Sequence, residues 1–455
     1  MADEGKAPGD DYSQRACEPS DTSQSFLTVH EGQAPLSFAL RRKVCYNTCH
    51  ALRAADRRPR TLMEVCPMKH TVALIPISTY DQSAVDAAVR QGVELLGGIG
   101  QFVQPEEKIV LKPNLLARAL PQRAITTHPA VFSAVCKLLR EEGYAHLSYG
   151  DSPGKPATTP DKAAEGAGIT EAAEKYGVAK ADFATGSIVP FPEGRTAKSF
   201  YLCKGVQEAD AYINVCKMKT HALERITGAM KNQYGCITGV NKATGHAAYP
   251  NSDVFADMLA DLNLCIKPRL HIMDGIVAME GNGPSSGTPV NMNVLLFSAD
   301  PVALDAVFAA LVHLSPEAVP TCVSGAKYGL GVMDEASIEV ATPEGTLTVA
   351  EARDKYGKAD FDVFRGVIKK GFLFNFMPLL PFLQHRPKAD MKKCIACGIC
   401  EESCPVPEKA VHSGKGQKAK YDYKKCIRCY CCQEMCPVKA IEVYRHPLTK
   451  LLSGK

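Results

Sequence analysis

From residue 68 onward the chain alternates short, wholly apolar runs with longer stretches in which apolar residues recur every three or four positions. VALIPI (72–77) and KIVLKPN (108–114) are of the first kind and predict strands buried on both faces. SAVDAAVRQGVELLGG has helical spacing with closing glycines. TTHPAVFSAVCKLLREEG predicts a helix with Thr or His as its cap, Pro129 in its first position and Gly143 past its end. HLSYGDSPG returns to a strand ending in a polar turn, and TTPDKAAEGAG repeats the cap-then-proline start. AYINVC (211–216), LHIMDGIV (270–277) and NVLLFS (293–298) read as further buried strands. The alternation predicts an α/β fold, a mostly parallel sheet with helices on both faces, whose strand order the pattern leaves open.

The ends of the chain depart from this texture. Residues 1–67 are rich in Asp, Ser, Arg and Pro and predict a disordered extension. The α/β domain is expected over 68–350, followed by an apolar and basic connector over 351–390. Its run GFLFNFMPLLPFL (371–383) is too short to span a bilayer and contains prolines, so it is read as packing the tail against the body. A cysteine-rich domain is expected over 391–446 and a short tail over 447–455.

In that domain C-x2-C-x2-C-x3-C-P occurs at 394–405 and again at 426–437. Thiolate is a soft anionic donor suited to iron, and in two-cluster ferredoxins the fourth cysteine of each run crosses to the other cluster. The spacing predicts two [4Fe–4S] clusters, one on Cys394, Cys397, Cys400 and Cys436, the other on Cys426, Cys429, Cys432 and Cys404. They would form a small α+β two-cluster ferredoxin-like domain in which clusters replace a core too small to stand alone. Zinc also accepts C-x2-C pairs, but two complete eight-cysteine registers, each closed by proline, favour iron–sulfur. Cys431 breaks the register and reads as a bystander; Cys45 and Cys49 lack a third partner.

The remainder of the 19 cysteines are scattered singly, unlike a secreted disulfide framework, and the first thirty residues lack the apolar stretch of a secretory signal. A cytoplasmic, reducing location is expected. The net charge of +4 is too small to imply nucleic acid. From residue 391 onward 13 Lys or Arg face 6 Asp or Glu, a surplus that compensates the negative clusters.

In parallel α/β sheets, ligands bind beyond the carboxyl ends of strands. Asn114, Asp151, Lys217, Lys219 and Asp274 all follow or end such strands. The helix start at His128 would turn free N–H groups to the same edge. Lys217, Lys219, His221 and Lys231 together would favour a small anionic ligand. GNGPSSG (281–287), flanked by Glu280 and with Asn282 inside it, is either a ligand-covering loop or a surface turn. No nucleophile elbow, zinc-protease helix or phosphate loop is present.

KIVLKPNLL, THPAVFSAVCKLLREEGYAHLSYGDSPG, NVCKMKTH, MDGIVAMEGNGPSSG and SADPVALDA, in this order before the cysteine runs, resemble the bacterial and archaeal "domain of unknown function 362" family of iron–sulfur proteins. The resemblance covers about residues 68–446 and implies an anaerobe-type redox protein without naming a reaction. The first expectation is therefore electron transfer: single low-potential electrons passing to or from a redox partner protein, or an anionic substrate bound by the α/β domain. An oxidoreductase is one form of this. The rivals are a non-catalytic docking module of a larger redox enzyme, and a non-redox enzyme whose clusters are structural or oxygen-sensing.

Overall fold

A computed structural model of the chain describes residues 70–154, 158–366 and 384–447. The extension 1–67, the run 371–383 and nearly all of the tail lie outside them. The described residues belong to one unit, Cys66–Lys455. The chain order begins β1 (His70–Pro76), α1 (Gln82–Glu94), β2 (Ile109–Pro113), α2 (Pro129–Glu141), β3 (Leu147–Tyr149), α3 (Pro160–Gly166), α4 (Ile169–Glu174) and β4 (Ala179–Lys180). A hairpin, β5 (Gly186–Pro190) with β6 (Ser199–Cys203), and α5 (Lys204–Gln207) lead to β7 (Ala211–His221), β8 (Arg225–Thr227), α6 (Ala229–Asn232), α7 (Gly239–Ala248) and α8 (Ser252–Ile266). Then come β9 (Leu270–Glu280), β10 (Thr288–Ser298), α9 (Pro301–Leu311), α10 (Pro320–Lys327), β11 (Ile338–Thr342), β12 (Gly345–Thr348) and α11 (Val349–Tyr356). The C-terminal part has β13 (Arg386–Ala389), α12 (Ile399–Glu402), β14 (Val411–Gly414), β15 (Gln417–Tyr421), α13 (Cys431–Met435) and β16 (Ile441–Tyr444).

Ten strands form one sheet in the order β12-β11-β1-β10-β9-β7-β2-β3-β4, with β8 paired to the far end of β7. The expected mostly parallel sheet is present, but β10 runs antiparallel to both β9 and β1. The cause is local. Residues 281–287 are too few for a crossover, so the chain reverses as a hairpin. Alternate residues of the strands feed two cores, as period 2 requires. Ala73, Ile75, Ile213, Val215 and Phe297 join the core under α1 and α2, while Val72, Leu74, Cys216, Leu296 and Met273 join the core under α9. Helices on both faces account for the absence of polar alternation in these strands.

The predicted caps hold. His128 caps α2 with Pro129 at its first position, and Thr159 caps α3 through Lys162 N–H. The helix α11, fixed by a Thr348–Glu351 capping box, straddles residue 350 and packs on α9. Among the described residues no helix is long and apolar enough to cross a membrane.

One feature of the sheet makes room for a site. β2 pairs with β7 only as far as Pro113 opposite Val215, so Cys216–His221 run past the carboxyl end of β2, held there by β9 and β8. The crevice there is the place such sheets bind ligands.

Candidate functional site

The C-terminal module repeats itself. Cys394 N–H donates to Asp390 O (3.0 Å) and Cys426 N–H to Asp422 O (3.1 Å). Asp390 N–H in turn donates to Ala440 O (2.7 Å), and Asp422 N–H to Ala410 O (2.9 Å). Left-handed residues bracket the second cysteine of each run: Ala396 and Gly398 around Cys397, Arg428 and Tyr430 around Cys429. These turns wrap the first three cysteines inward. One small cavity is lined by Cys394, Cys397, Cys400 and Cys436, and another by Cys404, Cys426, Cys429 and Cys432. The crossing cysteines receive backbone hydrogen bonds on sulfur, Ala440 N–H to Cys436 Sγ (3.2 Å) and Ala410 N–H to Cys404 Sγ (3.3 Å). Four soft donors around each apolar void, with N–H groups aimed at sulfur, fit a [4Fe–4S] cube. Cys431 lines neither void.

This module is docked on the body through α13 and the 281–287 loop. Gln433, fully buried, donates to Asn282 O (3.0 Å), Asn282 Oδ1 (2.9 Å) and Gly283 O (3.2 Å). Asn282 Nδ2 donates to Ile441 O (3.0 Å) and Ser285 Oγ to Glu434 O (2.7 Å). The loop is therefore a docking surface for the module rather than a free turn, and its Pro284 also lines the cavity between body and module. Glu280 serves the same region by accepting from Asp362 N–H (2.9 Å).

Between body and module lies a cavity of about 170 Å³. Asn114, Asp151, Lys219 and Lys231 line it from the sheet edge, together with Ser152, Thr227, Tyr234, Lys242 and His246. Ser403, Cys431, Glu434 and Met435 line it from the module. Its charges are mostly tied down. Lys112 pairs with Asp151 at 2.9 Å, Lys219 donates to Asn114 Oδ1 (2.6 Å) and Ile125 O (2.7 Å), and Lys242 donates to Ser152 O. Burial pushes the Lys219 ammonium well below the usual lysine range and Lys242 down to about 8. Gly235 is required here because a Cβ would stand 1.8 Å from Asp151 Oδ1.

Residues 109–310 match the family model "Domain of unknown function (DUF362)", and residues 386–437 match that of a 4Fe-4S dicluster domain. A thylakoid-associated protein of Synechocystis sp. is 34% identical over 264 residues, covering 58% of this chain and 81% of that protein. The chain belongs to the DUF362 family. Among solved structures, the lactate racemase apoprotein from Thermoanaerobacterium thermosaccharolyticum has a TM-score of 0.33 at 11% identity, over 50% of this chain and 54% of that one. A Thermotoga maritima protein gives 0.27 at 13%, over 45% and 53%. This chain thus spans about half the length of each, and likeness at that level is too slight to set function.

Within this DUF362 chain several expected site residues stand elsewhere. Lys217 Nζ donates to Asp274 Oδ2 (2.7 Å) and Tyr80 OH (3.1 Å), Tyr80 OH donates to Asp274 Oδ1 (2.9 Å), and His128 N–H donates to Asp274 Oδ2 (2.9 Å). The Tyr80 and His128 rings stack at 3.5 Å. Asp274 takes the His128 N–H and His128 Nδ1 takes the Ala130 N–H, so these N–H groups at the start of α2 are not left for a ligand. Lys217, His128 and Asp274 form a closed network outside the cavity. His221 lies one layer behind it. Its Nδ1 accepts from Leu223 and Glu224 N–H (3.1 Å each), which leaves the proton on Nε2, 2.9 Å from Glu434 Oε1. Burial holds this imidazole neutral, pushed down to about 4.

Lys242, His246 and Glu434 carry no mark in the sequence that distinguishes them. Lys242 and His246 stand one turn apart on α7, and Glu434 comes from a part of the chain about 200 residues from both.

Proposed function

We propose that the protein is an iron–sulfur oxidoreductase passing single electrons between a redox partner protein and a small anionic molecule held in the seam cavity. Cys394, Cys397, Cys400 and Cys436 would hold one [4Fe–4S] cluster, and Cys426, Cys429, Cys432 and Cys404 the second. Bound there, such clusters supply one-electron transfer at low potential. The observation supporting the reading is a shared wall. Cys431 and Ser403 line the seam cavity, and each is the bonded neighbour of a cysteine, Cys432 or Cys404, that lines the second cluster void.

The chain's own residues have distinct tasks. Asn114 and the Ile125 carbonyl orient Lys219 at the crevice. Asp305 accepts from Ala229 N–H (2.6 Å) and Met230 N–H (3.1 Å), fixing the turn that carries Lys231. Gln433 and Asn282 tie the two sides of the seam together by hydrogen bonds. Cys397 and Ile395 leave the first void at the surface, where a partner protein can reach it, whereas Cys404, Cys429 and Cys432 are buried.

Chain prepared without oxygen and titrated under paramagnetic resonance tests the reading. Two reversible one-electron signals and about eight irons per chain are expected. A colourless protein, or iron that no reductant converts to a paramagnetic state, would overturn it.

A further inference from the structure

We infer that the seam cavity is built for a small organic carboxylate bearing a second hydrogen-bonding group, its charge on Lys231 and Thr227 and its second polar group on His246. The inference rests on the proposed reading for the cavity's redox role, but the recognition itself stands on the following geometry.

Lys231 is buried, 8% exposed, and lines the cavity. Unlike Lys112, Lys219 and Lys242, it has no hydrogen bond or ion pair among the described residues. Its Nζ lies 5.9 Å from the centre of the Tyr234 ring, a weak cation–π contact. Glu434 and the buried Glu224 act on it through space, but neither carboxylate forms a hydrogen bond or ion pair with it. A buried ammonium whose N–H donors go unused is costly, and a ligand acceptor would relieve that cost.

Two further groups on residues of the same walls lack a hydrogen-bond partner. Thr227 Oγ1 and His246 Nδ1 are buried with no hydrogen-bond partner, and buried polar atoms are rarely left so. His246 is stacked flat against Phe255, 4.5 Å between ring centres, which holds the plane of its ring. One ammonium with unused donors and one hydroxyl match a single carboxylate, and a separate imidazole nitrogen matches a hydroxyl or carbonyl on the same ligand.

The remaining wall is apolar. Leu116, Pro284 and Met435 line the cavity beside the Tyr234 ring. A bare inorganic oxyanion would leave this surface unmatched. At about 170 Å³ the space is below the roughly 300–1,000 Å³ of sites for drug-sized ligands. That size suits a short carbon chain.

Calorimetric titration of the iron-loaded chain with propionate, 2-hydroxypropionate, 3-hydroxypropionate and inorganic phosphate tests this. At least one hydroxypropionate should bind saturably and more tightly than propionate, with phosphate weakest. Lys231→Ala should weaken the carboxylates by about tenfold or more, the scale of one charge-assisted hydrogen bond. Lys231→Arg should recover part of the loss, and His246→Ala should abolish the preference for the hydroxylated probe. Absence of saturation by every carboxylate, phosphate binding at least as tightly, or affinities indifferent to Lys231→Ala would each overturn the assignment. Paramagnetic resonance on the same samples separates the two proposals. Ligand binding without reducible clusters sinks the redox reading alone, and reducible clusters without ligand binding sink this inference alone.

Discussion

Lys112 shows what the buried charges of this protein demand. It is fully buried, and its Nζ reaches Asp151 at 2.9 Å and the Pro113 carbonyl at 3.2 Å. Lys112→Met strands the Asp151 carboxylate, so denaturant unfolding should show a loss of about 3–5 kcal/mol, much of it regained on adding Asp151→Leu. His271 tests the opposite case, a group buried neutral. Burial pushes its imidazole down to about 3, and Asn214 lies 2.9 Å from its Nδ1. Below about pH 6.5 the unfolded chain binds a proton there that the folded chain refuses until about pH 3, so stability falls as pH drops through that window. Native stability should therefore fall more steeply than that of His271→Gln, by up to about 1.4 kcal/mol per pH unit. Equal slopes from pH 7 to 5 would show His271 charged in the fold. At this scale the sequence was half legible. That Asn114, Asp151 and Lys219 stand at one edge of the sheet could be read from strand ends, and Lys231, on α6, joined them only through its charge. Lys217 and Asp274 obey the same rule, yet they neutralise each other, and which lysine finds an acid depends on register across strands.

Among the elements, the loop between β9 and β10 does the least expected work. Its seven residues make the hairpin that reverses β10, and the same residues receive α13 of the cysteine module. Gln433 fills three acceptors of that loop from a fully buried position. Gln433→Leu leaves them unsatisfied at a cost of about 1–3 kcal/mol. Faster hydrogen exchange across 386–447 is the expected outcome, with β1 and β7 unaffected; unchanged exchange would mean that the loop is not what holds the module. Apolar runs, helix spacing and the proline and histidine at the start of α2 were legible because they act within a few residues. The hairpin escaped notice because a glycine-rich turn gives the same local signal whether it reverses a strand or covers a ligand. The partner that decides lies about 150 residues away.

For the whole molecule, two kinds of core meet at one seam. The sheet has large apolar cores on both faces, whereas the module has few buried aliphatic residues, Val411 and Ile441 among them, with its cysteines completing the cluster. Removing iron should therefore unfold the module first. Calorimetry of chelator-treated chain is expected to keep the main transition and lose the module's contribution, while a single transition lost altogether would mean that the body depends on the clusters. The cysteine register was the most legible feature of the sequence, because metal coordination imposes spacing directly. The seam cavity was not, since it exists only when two separately patterned regions touch.

Of the adjacent pair Cys431 and Cys432, only Cys432 should belong to iron. Iron content and low-temperature paramagnetic resonance should be measured for Cys431→Ser and Cys432→Ser beside the native chain, all prepared without oxygen. Cys431→Ser should keep about eight irons and both signals, while Cys432→Ser should fall to about four and lose one. Equal iron loss in the two variants, or loss only with Cys431→Ser, would contradict both the crossing register and the shared wall between cluster and cavity.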